Sequence, residues 1–158
     1  LNPKQTFQGR TEMSALLTAP ELLNVIQELD YEAELSTEID ETFGEYTSIT
    51  ITTGEEHFWI IPLGYGGPYF EDFSIQSFIE TFSNPHLVAN DWNEEDHLTV
   101  ATVLYDPDTE LPIIHNGSFI IRLRLAPFYV DELSDTITEK VLRIFDEDYA
   151  EFVEKFGI

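Results

Sequence analysis

Across residues 84–106 the hydrophobic period changes from that of a helix to that of a strand, with no linker between the two. Asn84 is a good N-cap and Pro85 suits the first helical turn. Leu87, Val88 and Trp92 follow at helical spacing, which predicts one apolar stripe facing inward. From Leu98 the period is two: Leu98, Val100, Thr102 and Leu104 share one face, and Thr99, Ala101, Val103 and Tyr105 the other. A short amphipathic helix therefore feeds directly into a strand, with strand signals on both sides of the pair.

The remaining elements follow from local chemistry. Residues 1–17 show no sustained period and are expected to be a mobile leader, leaving 18–158 as a single α+β domain. Thr18-Ala19-Pro20-Glu21 has the form of a capping box, and Leu22, Leu23, Val25, Ile26 and Leu29 continue it as an amphipathic helix. Tyr31, Ala33 and Leu35 alternate with Glu32, Glu34 and Ser36, which suggests a short, half-buried edge strand. A turn at 40–44 precedes two β-branched or aromatic runs, 46–53 and 57–63, expected to pair as an antiparallel hairpin. Residues 64–68 read as a loop, and 72–82 as a strand because Asn84-Pro85 already begins the next helix.

After the central strand, Asp106-Pro107-Asp108-Thr109 is turn chemistry. Residues 111–126 return as strand, with Asn116-Gly117 either a hairpin turn or a bulge. In that strand Phe119, Ile121, Leu123 and Leu125 form one face, and Ile120, Arg122 and Arg124 the other. Apolar residues at helical spacing over 130–156 predict a long closing helix. The expected fold is α+β, a largely antiparallel sheet flanked by three helices in the order helix, strands, helix, two strands, helix.

The chain carries 31 acidic and 7 basic residues, a net charge of -24. Binding to nucleic-acid phosphates or an anionic membrane needs clustered cations, so neither partner is expected. The acids read first as a solvated surface, or as a means of steering a basic partner. The chain has no cysteine, which fits the cytoplasm, and no apolar run near the length of a membrane span. The first residues, LNPKQTFQGR, are neither a Met start nor a signal peptide, which suggests a native start that was trimmed or replaced.

No catalytic constellation is legible. His57, His86, His97 and His115 show no metal-ligand spacing, so no metal and no cofactor are expected. The cluster Glu94, Glu95 and Asp96 reads as a solvated helix end, and no GxSxG elbow occurs. Surplus hydrophobicity is the more informative feature. Phe58 and Ile60 alternate with Trp59, Ile61 and Leu63, so both faces of that strand are apolar, where a half-exposed antiparallel sheet keeps one face polar. Burial against another polypeptide is therefore expected, and Phe58, Trp59, Ile60, Arg122 and Arg124 are the candidate interaction residues.

With this element order in hand, Asn90-Asp91-Trp92-Asn93 looks like the N-x-W-N helix ending of the YbjN family of bacterial sensory-transduction regulators. The chain resembles that family in element order over residues 18–156 and in motifs over about 84–156, including the Asp-rich turn and the closing helix near Asp131-Glu132-Leu133. It departs from it at Pro127-Phe128-Tyr129-Val130, where the family usually carries a Gly-Val/Ile-Thr/Ser turn. The resemblance implies a fold similar to type III secretion chaperones and no known catalytic residues. Trp92 is expected to plug the core, with the Asn90 and Asn93 amides capping and stopping the helix. The expected function is a non-enzymatic interaction module of chaperone-like or regulatory type, a homodimer that also meets an unidentified protein partner. The alternative is an acidic protein that neutralises a basic partner, as a toxin-immunity protein or a DNA mimic does; one continuous acidic face would favour it.

Overall fold

The computed structural model describes residues 17–54, 57–65, 69–70, 72–129 and 135–158. The expected leader, apart from its last residue, and the expected start of the closing helix at 130–134 lie outside these. The described residues form an α+β fold: β1 (Leu17–Thr18), α1 (Ala19–Glu28), β2 (Glu32–Asp40), β3 (Gly44–Thr52), β4 (Phe58–Tyr65), β5 (Tyr69–Phe70), β6 (Asp72–Thr81), α2 (Pro85–Glu94), β7 (Thr99–Val103), β8 (Ile114–His115), β9 (Ser118–Tyr129) and α3 (Asp135–Phe156). Seven strands follow the hydrogen-bonded order β2-β3-β4-β6-β9-β7, with β8 on β9; β1 pairs with β5 apart from them. The chain divides into two compact units, Leu1–Ile75 with Pro127–Val141, and Gln76–Ala126 with Leu142–Ile158.

In the first unit α1 begins at the expected capping box. The Thr18 backbone N–H donates to Glu21 Oε1 at 2.9 Å, and the Glu21 N–H to Thr18 Oγ1 at 3.3 Å. Leu22 and Ile26 are fully buried, each contributing about 1.5–3 kcal/mol relative to exposure. The Gln27 amide donates to the Ala33 carbonyl at 3.0 Å, tying α1 to β2. β2 is the expected edge strand, but it is nine residues long, not short, and pairs in register with β3 from Glu32↔Thr52 to Asp40↔Gly44. The turn between them is closed by Asp40 Oδ1, which accepts from Thr42 and Phe43 at 2.7 and 2.9 Å. β3 and β4 form the expected antiparallel hairpin, with a bulge between Thr47 and Ser48. Gly64 and Tyr65, expected in a loop, complete β4.

In the second unit Asn84 caps α2, its Oδ1 accepting from the His86 N–H at 3.0 Å. Pro85, Val88, Ala89 and Trp92 form the buried stripe. Leu87, expected in it, is 61% exposed, because the turn of the helix sets it on the side away from Pro85, Ala89 and Trp92. Of the two alternating faces of β7, the one carrying Thr99, Ala101 and Val103 is buried, and Leu98 is 62% exposed. Asn116 and Gly117 have φ of 51° and 83°, the paired positive values of a type I′ turn, so they join β8 to β9 as a hairpin turn and not a bulge. Ile121, Leu123 and Leu125 of β9 are buried, as are Leu142, Phe145 and Phe152 of α3.

Candidate functional site

Two features of the second unit stand out, a polar latch at the end of α2 and a strand face that is partly exposed among the described residues. The latch is built on the Asp91-Trp92-Asn93 segment. Trp92 is fully buried and its Nε1–H donates to Thr99 Oγ1 at 3.1 Å. The Thr99 hydroxyl donates onward to Asp148 Oδ2 at 2.8 Å, so one side chain satisfies the indole and reaches α3. The Trp92 ring stacks on His97 with centroids 3.5 Å apart and meets Phe152 edge-on at 5.1 Å.

Asn93 does something its sequence position does not suggest. Its Nδ2 donates to the Ala101 carbonyl and its Oδ1 accepts the Ala101 N–H, both at 2.9 Å. The amide thus occupies both backbone groups that Ala101 presents on the outer edge of β7, the last strand in the sheet order. The neighbouring outward N–H, that of Thr99, points to Asp148 Oδ2 at 3.4 Å. Side chains therefore block this edge against a further strand. The expected capping role is corrected: Asn90 is exposed in mid-helix, and α2 stops one residue after Asn93, at Glu94.

Beside the latch, His97 Nε2 lies 3.1 Å from Glu151 Oε2, and His97 Nδ1 lies 3.2 Å from the Trp92 carbonyl. Neutral imidazole can donate to one of these acceptors, imidazolium to both. Glu95, His97 and Glu151 bring potential ligand atoms within 4.8 Å of one another, a grouping spread over 57 positions that no local spacing announces. A cation is already in place there: Lys155 Nζ lies 3.1 Å from Glu151 Oε2 and 3.4 Å from Glu95 Oε1. A metal ion would have to displace that ammonium. The Lys155 hydrogen bond, then His97, holds the Glu151 carboxyl below its usual range, and Glu151 in turn raises Lys155. A lowered carboxylate stabilises the fold above its unfolded value, and that contribution is lost as pH falls through the folded one. Acidification to about pH 3 should therefore lower the melting temperature of the wild type more than that of Lys155→Gln, compared with each protein at about pH 7. Parallel acid limbs in the two melting series would refute the pairing.

The partly exposed face belongs to β6, β9 and β7. On β6, Ser77, Ile79 and Thr81 are buried while Phe78 is 43% exposed and Glu80 is exposed. On β9, Ile120, Arg122 and Arg124 are half-buried and alternate with the buried Ile121, Leu123 and Leu125. On β7, Val100 is 49% exposed and pairs with Arg124, and the half-buried Thr102 pairs with Arg122. Val100, Thr102, Arg122 and Arg124 line a hollow of about 150 Å3. The Arg122 Nε atom is buried and has no hydrogen-bond partner. Nearby, the Ser118 hydroxyl donates to Glu80, which holds that carboxyl below its usual range.

Of the interaction residues expected from sequence, Arg122 and Arg124 sit together on this face. Phe58 and Ile60 belong to the first unit, exposed and half-buried on β4. Trp59 is corrected: at 1% exposed, beside Tyr31 with ring centroids 5.9 Å apart, it is a core residue and offers no surface to a partner.

No family model and no curated protein matches this chain. The chain is similar to the crystal structure of an uncharacterized protein from Methanothermobacter thermautotrophicus, at 12% identity and a TM-score of 0.47, over 89% of this chain and all of that one. At that score the likeness lends weight to no reading of function. Among the described residues no helix is long and apolar enough to cross a membrane.

Proposed function

We propose that the protein is a non-enzymatic interaction module, of the chaperone-like or regulatory kind that the YbjN resemblance implies. The observation that carries this reading is the partly exposed face of β6, β9 and β7, where, among the described residues, Phe78 and Val100 remain exposed and Val100 pairs with Arg124. Strand faces that stay apolar without a helix over them are commonly closed by another polypeptide. A protein that neutralises a basic partner would present acids on its recognition face; here Glu80 is outnumbered by Arg122 and Arg124.

Self-association is part of the proposal, and we assign it to Phe58 and Ile60 of β4. Two copies meeting through the β6-β9-β7 face would set arginines against arginines, whereas the β4 residues are uncharged. Apolar burial contributes roughly 25 cal/mol per Å2, and the charge of -24 on each chain opposes it. Salt screens that repulsion, so self-association should strengthen from about 50 mM to about 500 mM salt, the reverse of an interface built on ion pairs. Sedimentation of the full chain at high micromolar concentration measures this, and Phe58→Glu should return it to monomer. A monomer at both salt concentrations would remove self-association from the proposal.

A further inference from the structure

We propose that Arg122 and Arg124 form a receptor for a single carboxylate carried on an apolar stem. This rests on reading the β6-β9-β7 face as open to a partner, and it names the chemistry that the partner must bring. Arg122 and Arg124 occupy alternate positions of β9, so both point to the same face, and their cross-strand neighbours Thr102 and Val100 complete the hollow. Among the described residues neither guanidinium makes an ion pair or hydrogen bond, in a chain with 31 carboxylates against 7 basic residues. Lys155, by contrast, lies between two carboxylates. Glu80, on the same face, is engaged by Ser118 and lies 3.7 Å from His115.

Arginine is a planar fork of donors matched to an oxyanion, and a buried Nε without an acceptor is costly to keep. A carboxylate bound there would meet the fork that the chain's own acids leave open. The other wall chemistry sets the rest of the ligand. Val100 and the carbon stems of the two arginines favour carbon, and the Thr102 hydroxyl can add one donor. A hollow of about 150 Å3 has room for a carboxylate and a short stem. A net charge of -24 repels multiply charged anions most, so one negative charge on an apolar body fits better than a phosphate or an acidic run.

The full chain, titrated with hexanoate and followed by backbone amide NMR, should show saturable shifts at Val100, Thr102, Arg122 and Arg124. Hexanol, with the same stem and no carboxylate, should bind at least about tenfold more weakly, and so should inorganic phosphate. Arg122→Gln and Arg124→Gln should each weaken hexanoate about tenfold, whereas Lys140→Gln on α3 should not change it. Arg122→Lys keeps charge and stem but lacks the fork, and should also bind weakly; it serves if the glutamine variant does not fold. Equal binding of hexanoate and hexanol, phosphate as tight as hexanoate, or shifts centred elsewhere would each overturn the proposal. None of these outcomes touches the self-association assigned to Phe58, which sedimentation reads separately.

Discussion

Trp92→Ala is expected to destabilise the fold by about 3–5 kcal/mol, the usual range for deleting a buried aromatic. The indole is fully buried and packs against His97 and Phe152, so its removal leaves a cavity between a ring of the α2–β7 connection and one of α3. It also deprives Thr99 of its donor, although the hydroxyl keeps its bond to Asp148. Against a typical domain stability of about 5–15 kcal/mol, this change should remove a large share of the total. Denaturant melts measure it through a shift in midpoint at constant slope. A loss under about 1 kcal/mol would mean that the latch does not hold α2 in place.

The second large effect is expected at Asn93, which is surface-exposed at its rim yet bonded to both backbone groups of Ala101. Asn93→Ala should cost about 1–3 kcal/mol, because those two groups lose partners that water replaces imperfectly at a part-buried site. The more telling consequence is association. With its side-chain block gone, the β7 edge offers an N–H and a carbonyl to another strand, and the variant should aggregate faster than wild type on mild heating. Asn93→Asp separates the two bonds: a carboxylate still accepts from the Ala101 N–H but faces the carbonyl without a donor. Light scattering and melting curves on both variants test this. If Asn93→Ala melts within about 0.5 kcal/mol of wild type and stays in solution equally well, the amide is a bystander.

This residue shows where sequence reading stops. An asparagine near a helix end is ordinarily a cap, and nothing within four positions of Asn93 reveals that its amide bonds a strand eight residues on. His97 and Glu151 meet across 54 positions, and Thr99 and Asp148 across 49, so neither pair leaves a local trace. The face of β7 was ambiguous for a different reason. Leu98 and Val100 lie on one side and Ala101 and Val103 on the other, so a period of two establishes alternation without saying which side goes in. The side that carries Thr99 won, because only its hydroxyl both receives the Trp92 indole and reaches Asp148.

What the sequence determined by itself is what short-range chemistry decides. The Thr18–Glu21 box and the Asn84-Pro85 start set where α1 and α2 begin, and Asp40 and Asp106 close turns through bonds spanning two or three residues. Runs of β-branched and aromatic residues identified β3 and β4, and alternation identified β7 and β9. The hairpin at Asn116-Gly117 was visible but undecided until backbone angles distinguished turn from bulge. Only tertiary structure decided that Trp59 is core, that Asn93 seals an edge, and that Arg122 and Arg124 stand with Thr102 and Val100 around one hollow. Each of these depends on strand register and on contacts between distant segments, and those energies exist only once the chain has closed on itself.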